Sequence, residues 1–193
     1  PKGVLITEVA KTENPNYQFV TINTKNIGPS ELTFTFTAKG KKSFIKKYEL
    51  KERATGSALR KGFDSSDMMY LIMPDRFANG NPSNDNTSDT KEKSNRSALS
   101  GRHGGDIQGI INNLDYLKNM GVTTIWNTPM CEDNEAEGSY HGYAQTDLYK
   151  IDPRFGTNEE YKLLADELHK REMKLVKDYV TNHWGKSHWM IQD

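Results

Sequence analysis

The stretch Lys174-Leu-Val-Lys-Asp-Tyr-Val-Thr-Asn-His183 sets the fold expected for most of this chain. Its apolar residues predict a β-strand over 174–180, and Asp178, Asn182 and His183 lie near the carboxyl end of that strand. Parallel α/β sheets collect their functional polar groups at the carboxyl ends of their strands. The stretch therefore predicts a parallel sheet with a ligand-binding edge.

The residues before this stretch alternate between strand and helix patterns. In chain order they predict a strand over 69–73, a helix over 107–117 ended by Gly121, a strand over 122–126, and a helix that begins with the capping box Thr157-x-x-Glu160. This is the βαβ order of a parallel sheet. Residues 67–193 amount to about half of the ~250 in a closed (β/α)₈ barrel, so the sequence predicts an α/β fold with the first three strands of a TIM barrel.

The first third of the chain has a different pattern. Side chains alternate with a period of two over residues 17–22, 32–37 and 43–50, with turn residues between these segments. Short strands at this spacing predict part of an antiparallel β-sandwich, and the polar segment 51–63 is the expected linker. We therefore expect one partial all-β domain over residues 1–62, followed by the barrel.

Composition excludes several classes of protein. The 193 residues carry 26 basic and 26 acidic side chains, without a basic stripe, so no nucleic-acid partner is expected. No apolar window approaches the length of a membrane span, and the chain is expected to be soluble. Cys131 is the single cysteine and excludes an internal disulfide. No leader precedes Pro1, which leaves a periplasmic or a cytoplasmic location open.

A loop rich in oxygen ligands follows the first predicted barrel strand. Calcium takes six to eight oxygen ligands from carboxylates, amides and backbone carbonyls. Four such side chains stand within seven residues, and two further ligands follow about twenty residues on: Asn79, Asn81, Asn84, Asp85, Gly104 and Asp106. The same residue types also build tight turns, and Asp106 is a suitable N-cap for the next helix. Spacing alone leaves both roles open.

The loop after the second predicted strand contains Ser139-Tyr-His-Gly-Tyr143. Aromatic faces pack against pyranose rings and imidazole nitrogens bond hydroxyls, so His141 and Tyr143 are candidate sugar-binding residues. The alternative is a loop whose aromatic rings only cover the end of the barrel. Asp178 needs a hydrogen-bonding partner at its buried strand end, expected in a loop or outside this chain. The spacing of His183 and His188 does not suit zinc.

These motifs, in this order, resemble the alpha-amylase superfamily of glycoside hydrolases. The similarity is carried over 67–193 by five strings: Asp75-Arg-Phe-Ala-Asn-Gly80, His103-Gly-Gly-Asp-Ile-Gln-Gly109, His141-Gly-Tyr143, Ile151-Asp-Pro-Arg-Phe-Gly156 and Asp178-Tyr-Val-Thr-Asn-His183. The chain is most similar to the neopullulanase and cyclomaltodextrinase branch, in which an immunoglobulin-like domain precedes the barrel. Residues 1–62 match that domain only in their β-strand pattern, not through any particular sequence string.

The resemblance assigns roles to individual residues. It implies that His183 bonds the glucose in the −1 subsite, that Tyr143 stacks beneath this glucose, and that His141 lies beside it. Asp178 would hold an arginine from the fourth strand, and Asn182 matches a calcium ligand in many family members. The six oxygen ligands of the first loop match this branch's calcium site, with Asn81 where an Asp is common. With two formal negative charges the site is expected to bind Ca²⁺ with modest affinity.

The resemblance implies hydrolysis or transfer at α-1,4-glucosidic bonds of starch, maltooligosaccharides or cyclodextrins, with retention. The nucleophile and the acid/base are expected after Asp193, so no catalytic acid is assigned within this chain and the chain alone is expected to be inactive. Residues 63–183 are taken as the first part of the barrel, and 184–193 as the start of a domain inserted after its third strand. A homodimer through the N-terminal domain is a further expectation.

Three residues depart from the family pattern. Glu172 stands where a glycine usually closes the second helix, and Asn127 and Lys177 replace apolar residues in the strands. Two alternative functions stay open beside the enzyme. One is a non-catalytic carbohydrate-binding or interaction protein of the same fold, which the residues after Asp193 would reveal. The second is a small, complete α/β sugar-binding domain, against which the open edges of a three-stranded sheet argue.

Overall fold

The computed structural model of this protein describes residues 3–192. The chain divides into two compact units, Pro1–Lys61 and Gly62–Asp193. Each unit has its own secondary structure.

The first unit consists of two antiparallel strand pairs. β1 (Leu5–Lys11) pairs with β2 (Gln18–Asn23), and β3 (Ser30–Phe36) pairs with β4 (Phe44–Leu50). The register of the first pair shifts between Ile6 and Glu8, which marks a β-bulge. The alternation in the sequence thus produces strands, and β1 is a strand that the pattern did not single out.

The second unit is built on a parallel three-stranded sheet. Its strands are β5 (Met69–Ile72), β6 (Thr124–Asn127) and β9 (Lys174–Lys177), arranged in that order. The register aligns Met69 with Thr124 and Thr124 with Lys174, so all three strands end at the same edge. This edge carries the carboxyl ends at which the sequence predicts a binding site.

Helices cover this sheet. After β5 come the short α1 (Pro74–Phe77), then α2 (Ile107–Asn112) and α3 (Leu114–Asn119), whereas α4 (Asn158–Lys170) connects the second and third strands of the sheet. The hairpin β7 (Cys131–Glu132) and β8 (Asp147–Ile151) precedes α4, and α5 (Trp189–Gln192) ends the described chain. Buried apolar side chains from these elements form the core: Ile72, Ile107, Ile110, Leu114, Leu117, Val122, Ile125, Met130, Ile151, Phe155, Leu164, Leu168 and Met173.

The helix predicted over 107–117 is divided at Asn113. This residue has φ −111° and ψ 10°, and its Nδ2 donates to the carbonyl of Gly109 at 2.7 Å. Its backbone N–H donates to the carbonyl of Ile110. An asparagine side chain competes for backbone acceptors in this way, which interrupts the regular α-helical pattern without disturbing the apolar face. The single predicted helix is therefore two short helices that share one buried face.

The third parallel strand is shorter than predicted. Its pairing ends where Asn127 meets Lys177, three residues before Val180. The ladder between β6 and β9 ends there because Pro129, two residues after Asn127, has no N–H to donate. Asp178 is consequently the first residue beyond the ladder, at the carboxyl edge of the sheet.

The ends of α3 and α4 use left-handed residues, as the sequence indicates. Gly121 has φ 92° and Glu172 has φ 60°. After each helix a backbone N–H returns to a carbonyl of the last turn: Val122 donates to Leu117, and Met173 donates to Leu168. The capping box at the start of α4 is present in both directions. None of the helices in the described residues has the length and apolar character needed to cross a bilayer.

Candidate functional site

Tyr143 and Asp178 meet at the carboxyl edge of the sheet. The hydroxyl of Tyr143 donates to Asp178 Oδ2 at 3.1 Å. The indole N–H of Trp126, at the end of β6, donates to the same oxygen at 3.1 Å. The sequence did not single out Trp126 as a partner of Asp178, because only the parallel register brings the two ends together. No hydrogen bond in the described residues uses Oδ1 of Asp178, so one carboxylate oxygen remains for a partner.

His183 is oriented by two hydrogen bonds of different kinds. Its Nε2 lies 3.0 Å from the carbonyl oxygen of Tyr143, and its Nδ1 lies 3.2 Å from Nδ2 of Asn182. A carbonyl only accepts and an amide nitrogen only donates, so a neutral His183 carries its proton on Nε2. The three predicted residues Tyr143, Asn182 and His183 are therefore in contact, although Tyr143 and His183 are forty residues apart in sequence.

His141 lies on the same loop as Tyr143. Its Nδ1 accepts the backbone N–H of Tyr143 at 3.0 Å, and the two rings are 5.8 Å apart. The ring of Tyr140 packs edge-on against His141 at 5.3 Å. Burial lowers the pKa of His141, although the nearby Glu92 opposes the shift. A neutral imidazole with its acceptor nitrogen occupied presents Nε2–H as a donor, which suits a ligand hydroxyl.

Arg76 contacts the aromatic loop through the ring of Tyr140. Its guanidinium lies 4.1 Å from the centre of the Tyr140 ring and also donates to the carbonyls of Leu99 and Gly101. Its Nε donates to Asp75, a fully buried carboxylate that also accepts the backbone N–H of His103. The string that begins at Asp75 thus connects the first strand of the sheet to the aromatic loop.

A buried ion pair, Arg154 with Asp152, binds the backbone at the start of the aromatic loop. Arg154 donates to both oxygens of Asp152, at 2.9 and 2.7 Å, and also to the backbone carbonyls of Glu92 and Asp133. Burial would raise the pKa of Asp152, but the hydrogen bonds and charges of Arg154, together with Arg102, outweigh it, and the pKa is lowered. The pair is ionised, and its bidentate geometry fixes the segment. The sequence contains these residues within its family strings, but their burial is visible only in the fold.

Asp133 is a fully buried carboxylate at the start of the loop. It accepts the backbone N–H groups of Glu135 and Ala144, at 3.3 and 3.1 Å, and thereby joins the two ends of the segment that carries His141 and Tyr143. Burial raises its pKa to about 7, against the effect of these hydrogen bonds. No sequence pattern identified Asp133, because its burial arises only in the folded chain.

Part of the predicted metal set is gathered in one place. Nδ2 of Asn79 donates to Asp85 Oδ1 at 2.8 Å, and a Cβ at Gly104 would lie 2.6 Å from the same oxygen. Gly104 has φ 87°, so a glycine is required there for both space and conformation. The amide oxygens of Asn79 and Asn84 are buried and have no hydrogen-bond partner. Unpartnered buried oxygens are unusual and are what a hard cation requires, so this donor set fits Ca²⁺.

Two further members of that set have structural roles as well. Asp106 caps α2 by accepting the N–H of Gly109 at 2.6 Å, and it accepts the N–H groups of Gly80 and Asn81. The Asn81 side chain accepts from Ser83 at 2.6 Å. Asp106 and Asn81 therefore have the N-cap and turn roles that the sequence left open, and they lie in the same loop as the other candidate metal ligands. Within residues 3–192, no three His, Cys, Asp or Glu side chains converge as a metal cluster, so a site here needs amide and carbonyl oxygens beside the carboxylates of Asp85 and Asp106.

A parallel sheet with polar and aromatic groups at the carboxyl ends of its strands is the arrangement in which α/β folds bind their ligands. The family description "Alpha amylase, catalytic domain" matches residues 71–193, and "Cyclomaltodextrinase, N-terminal" matches residues 1–54. The chain belongs to the alpha-amylase family.

Individual relatives agree with this assignment. The chain is 46% identical over 121 residues to the beta/alpha-amylase of Paenibacillus polymyxa, covering 63% of this chain and 10% of that protein. Neopullulanase 2 of Thermoactinomyces vulgaris is 39% identical (65% and 21% covered), and a cyclomaltodextrinase of Thermoanaerobacter pseudethanolicus is 38% identical (67% and 22% covered). The crystal structure of an Anoxybacillus alpha-amylase superposes with a TM-score of 0.55 at 45% identity, over 65% of this chain and 26% of that one. The chain spans at most about a quarter of the length of these relatives.

Proposed function

We propose that this chain is the N-terminal part of a glycoside hydrolase that cleaves α-1,4-glucosidic bonds of starch, maltooligosaccharides or cyclodextrins with retention. Its parallel strands are, in this proposal, the first three of a (β/α)₈ barrel, and the first unit belongs to an immunoglobulin-like domain. The neopullulanase and cyclomaltodextrinase relatives support this branch of the family. The chain's share of their length supports its being only part of the catalytic domain.

One observation carries the proposal. Tyr143, Asp178 and His183 come from two distant segments and are joined by hydrogen bonds of 3.0 and 3.1 Å at the carboxyl edge of the sheet. That edge is where barrel enzymes place their sites. The Tyr143 ring is 37% exposed and offers an apolar face, while His141, whose Nδ1 is occupied, offers Nε2–H to a hydroxyl. This combination suits a glucose unit.

The chain's own residues bind and orient in this proposal. Tyr143 supports the sugar ring and His141 bonds a hydroxyl. His183 bonds a second hydroxyl when that hydroxyl takes the place of Asn182 or of the Tyr143 carbonyl at its ring. Asp178 offers its open oxygen to a cationic group such as an arginine. Retaining cleavage needs a carboxylate nucleophile and a carboxylic acid about 5–5.5 Å apart. We place both outside the 193 residues, on later barrel strands.

The experiment is a comparison of the complete enzyme with its His183→Ala variant on maltoheptaose and on β-cyclodextrin. We expect kcat/KM to fall by a factor that corresponds to about 1–3 kcal/mol, because a substrate hydroxyl loses its partner. The melting temperature is expected to change little, since His183 is exposed. A complete enzyme that binds maltooligosaccharides without cleaving them would instead identify a non-catalytic member of the family.

We also propose that Asn79, Asn81, Asn84, Asp85, Asp106 and the carbonyl of Gly104 hold Ca²⁺. The unpartnered oxygens of Asn79 and Asn84 support this assignment. A bound Ca²⁺ would supply positive charge to the buried oxygens and would tie the loop after α1 to the start of α2. The role is structural, and its readout is stability.

The test uses thermal unfolding of the chain with calcium chloride or with EDTA. Calcium is expected to raise the melting temperature, and the rise should disappear in Asn84→Ala. Asn119→Ala, at the exposed end of α3, is the matched control and should keep the rise. An equal calcium effect in both variants would refute the assignment.

We also propose that the protein forms a homodimer through its first unit. Large apolar side chains on its strands are exposed, including Leu5, Ile6, Val9, Phe19 and Ile45. Exposed apolar surface of this kind favours association. Sedimentation velocity of the protein and of its Phe19→Ser variant tests the proposal, which predicts a dimer only for the former.

A further inference from the structure

Three aromatic rings form a stack directly after His183. The indole of Trp184 lies parallel to the imidazole of His188, with centroids 4.3 Å apart and an angle of 11° between the planes. His188 stacks in turn on Trp189 at 5.2 Å. His188 is 1% exposed, whereas Trp184 is 42% exposed. Trp184 is therefore held on a buried ring while much of its own surface faces solvent.

The segment that carries this stack is anchored to the aromatic loop. The N–H of Gly185 donates to the carbonyl of Gln145 at 2.8 Å, and a Cβ at Gly185 would lie 2.3 Å from the carbonyl oxygen of Ala144. The N–H of Ser187 donates to Glu135 at 2.7 Å. Only a glycine permits this close approach to Ala144, the residue after Tyr143. The segment of Trp184 is thus bonded to the loop that carries Tyr143, whose ring is the candidate surface for stacking on a sugar.

The stack is neutral. Nδ1 of His188 accepts the N–H of Met190 at 3.1 Å, so the ring proton is on Nε2. Burial lowers the pKa of His188, although Asp147 opposes the shift. A neutral imidazole behind the indole adds no charge that would favour an ionic ligand. An apolar indole on a rigid neutral support is suited to the apolar face of an uncharged sugar.

We propose that Trp184 is a second carbohydrate platform, which stacks on a glucose unit of an α-glucan adjacent to the unit held by Tyr143 and His183. His183 and Trp184 are consecutive in a segment that is bonded to the aromatic loop, so one glucan chain that contacts both would span neighbouring glucose units. This inference rests on the proposed function for the class of ligand. It adds a residue that makes binding depend on the length of the glucan.

The experiment is an NMR titration of the 193-residue chain labelled with ¹⁵N-tryptophan. The three indole signals are assigned with Trp→Phe variants. Trp126 donates to Asp178 and reports on the Tyr143 region, whereas Trp184 reports on the second platform. Maltoheptaose and glucose are the two probes. We expect maltoheptaose to shift both signals and to bind about tenfold more tightly than glucose, and Trp184→Ala to remove most of that advantage.

Tyr116→Ala is the matched control, because Tyr116 is an exposed aromatic residue on α3, and it should leave both affinities unchanged. Trp184→Phe retains a ring and should recover part of the advantage. If Trp126 shifts while Trp184→Ala leaves the maltoheptaose affinity unchanged, the second platform is refuted and the proposed function stands. If neither maltoheptaose nor glucose shifts any indole signal, the second platform and the placement of a glucose unit at Tyr143 and His183 are both refuted.

Discussion

At the scale of single residues, Tyr143 combines two roles that a sequence cannot separate. Its hydroxyl is bonded to Asp178, and its ring remains 37% exposed. If the ring is the sugar platform, Tyr143→Phe should leave glucan affinity within about twofold, whereas Tyr143→Ala should weaken it by about tenfold, as the loss of an aromatic contact implies. The measurement is the same maltoheptaose titration, with Trp126 as the reporter.

The two variants also separate the ring from the hydroxyl in unfolding experiments. Tyr143→Phe leaves Trp126 as the remaining donor to Asp178, so the melting temperature should fall only slightly. A Phe variant that binds glucan as poorly as the Ala variant would show that the hydroxyl, and not the ring, matters. The placement of the sugar on this loop would then be wrong.

Asp133 makes stability depend on pH. Its pKa is raised by burial to about 7, so the folded chain keeps a proton that the unfolded chain releases near pH ~4. The unfolded state binds fewer protons between these two values, so stability falls as the pH rises from one to the other and levels off above the higher one. We expect a loss on the order of 2–3 kcal/mol between about pH 5 and pH 8 from this group.

The measurement is urea unfolding of the wild type and of Asp133→Asn at several pH values in that range. The variant loses a carboxylate that accepts two backbone N–H groups, so it should be less stable throughout. Its stability should nevertheless lack the decline that the wild type shows. Parallel pH profiles for the two proteins would mean that Asp133 does not titrate near neutrality.

At the scale of elements, sequence patterns predicted helix ends better than helix interiors. The capping box at Thr157 and the stop at Gly121 are local devices that act within one turn, and both are present. The break at Asn113 was missed because it depends on a side chain bonding a backbone carbonyl inside an otherwise regular apolar pattern. The end of β9 was missed because it depends on where its neighbour β6 stops, which no local pattern contains.

Glu172 offers a prediction at this scale. It has φ 60°, a left-handed conformation that costs an ordinary residue roughly 1–2 kcal/mol. Glycine removes that strain but makes the unfolded chain more flexible, at a cost of about 0.4–1 kcal/mol. Glu172→Gly should therefore stabilise the second unit by a net ~0.5–1 kcal/mol, measured by urea unfolding.

The matched control is Glu159→Gly, the same substitution in the first turn of α4. Its backbone is helical, so glycine should destabilise the protein there by about 1 kcal/mol. Opposite signs for the two substitutions support the strain argument. A destabilised Glu172→Gly variant would show that the glutamate side chain contributes more than its backbone costs.

At the scale of the whole molecule, the sequence predicted candidate site residues that the fold brings together, but not the residues that support them. His141, Tyr143, Asp178, Asn182 and His183 were identified from motifs, and the fold brings them into contact. Their supports could not be predicted, because the burial that makes these groups important arises only when distant segments pack. These supports are Trp126, Asp133, Asp152, Arg154 and Arg76.

The last prediction concerns catalysis by the chain alone. Retaining cleavage needs two carboxyl groups about 5–5.5 Å apart at the scissile bond. Of the residues that meet at the carboxyl edge, His141, Tyr143, Asp178, Asn182 and His183, Asp178 is the one carboxylate, and its Oδ2 is occupied by Tyr143 and Trp126. Purified 193-residue protein should therefore release no reducing sugar from maltoheptaose or β-cyclodextrin. Asp178→Asn, purified in the same way, controls for a contaminating amylase: activity that is present in the wild type and lost in this variant would show that the chain is itself an enzyme, with Asp178 as a reacting group.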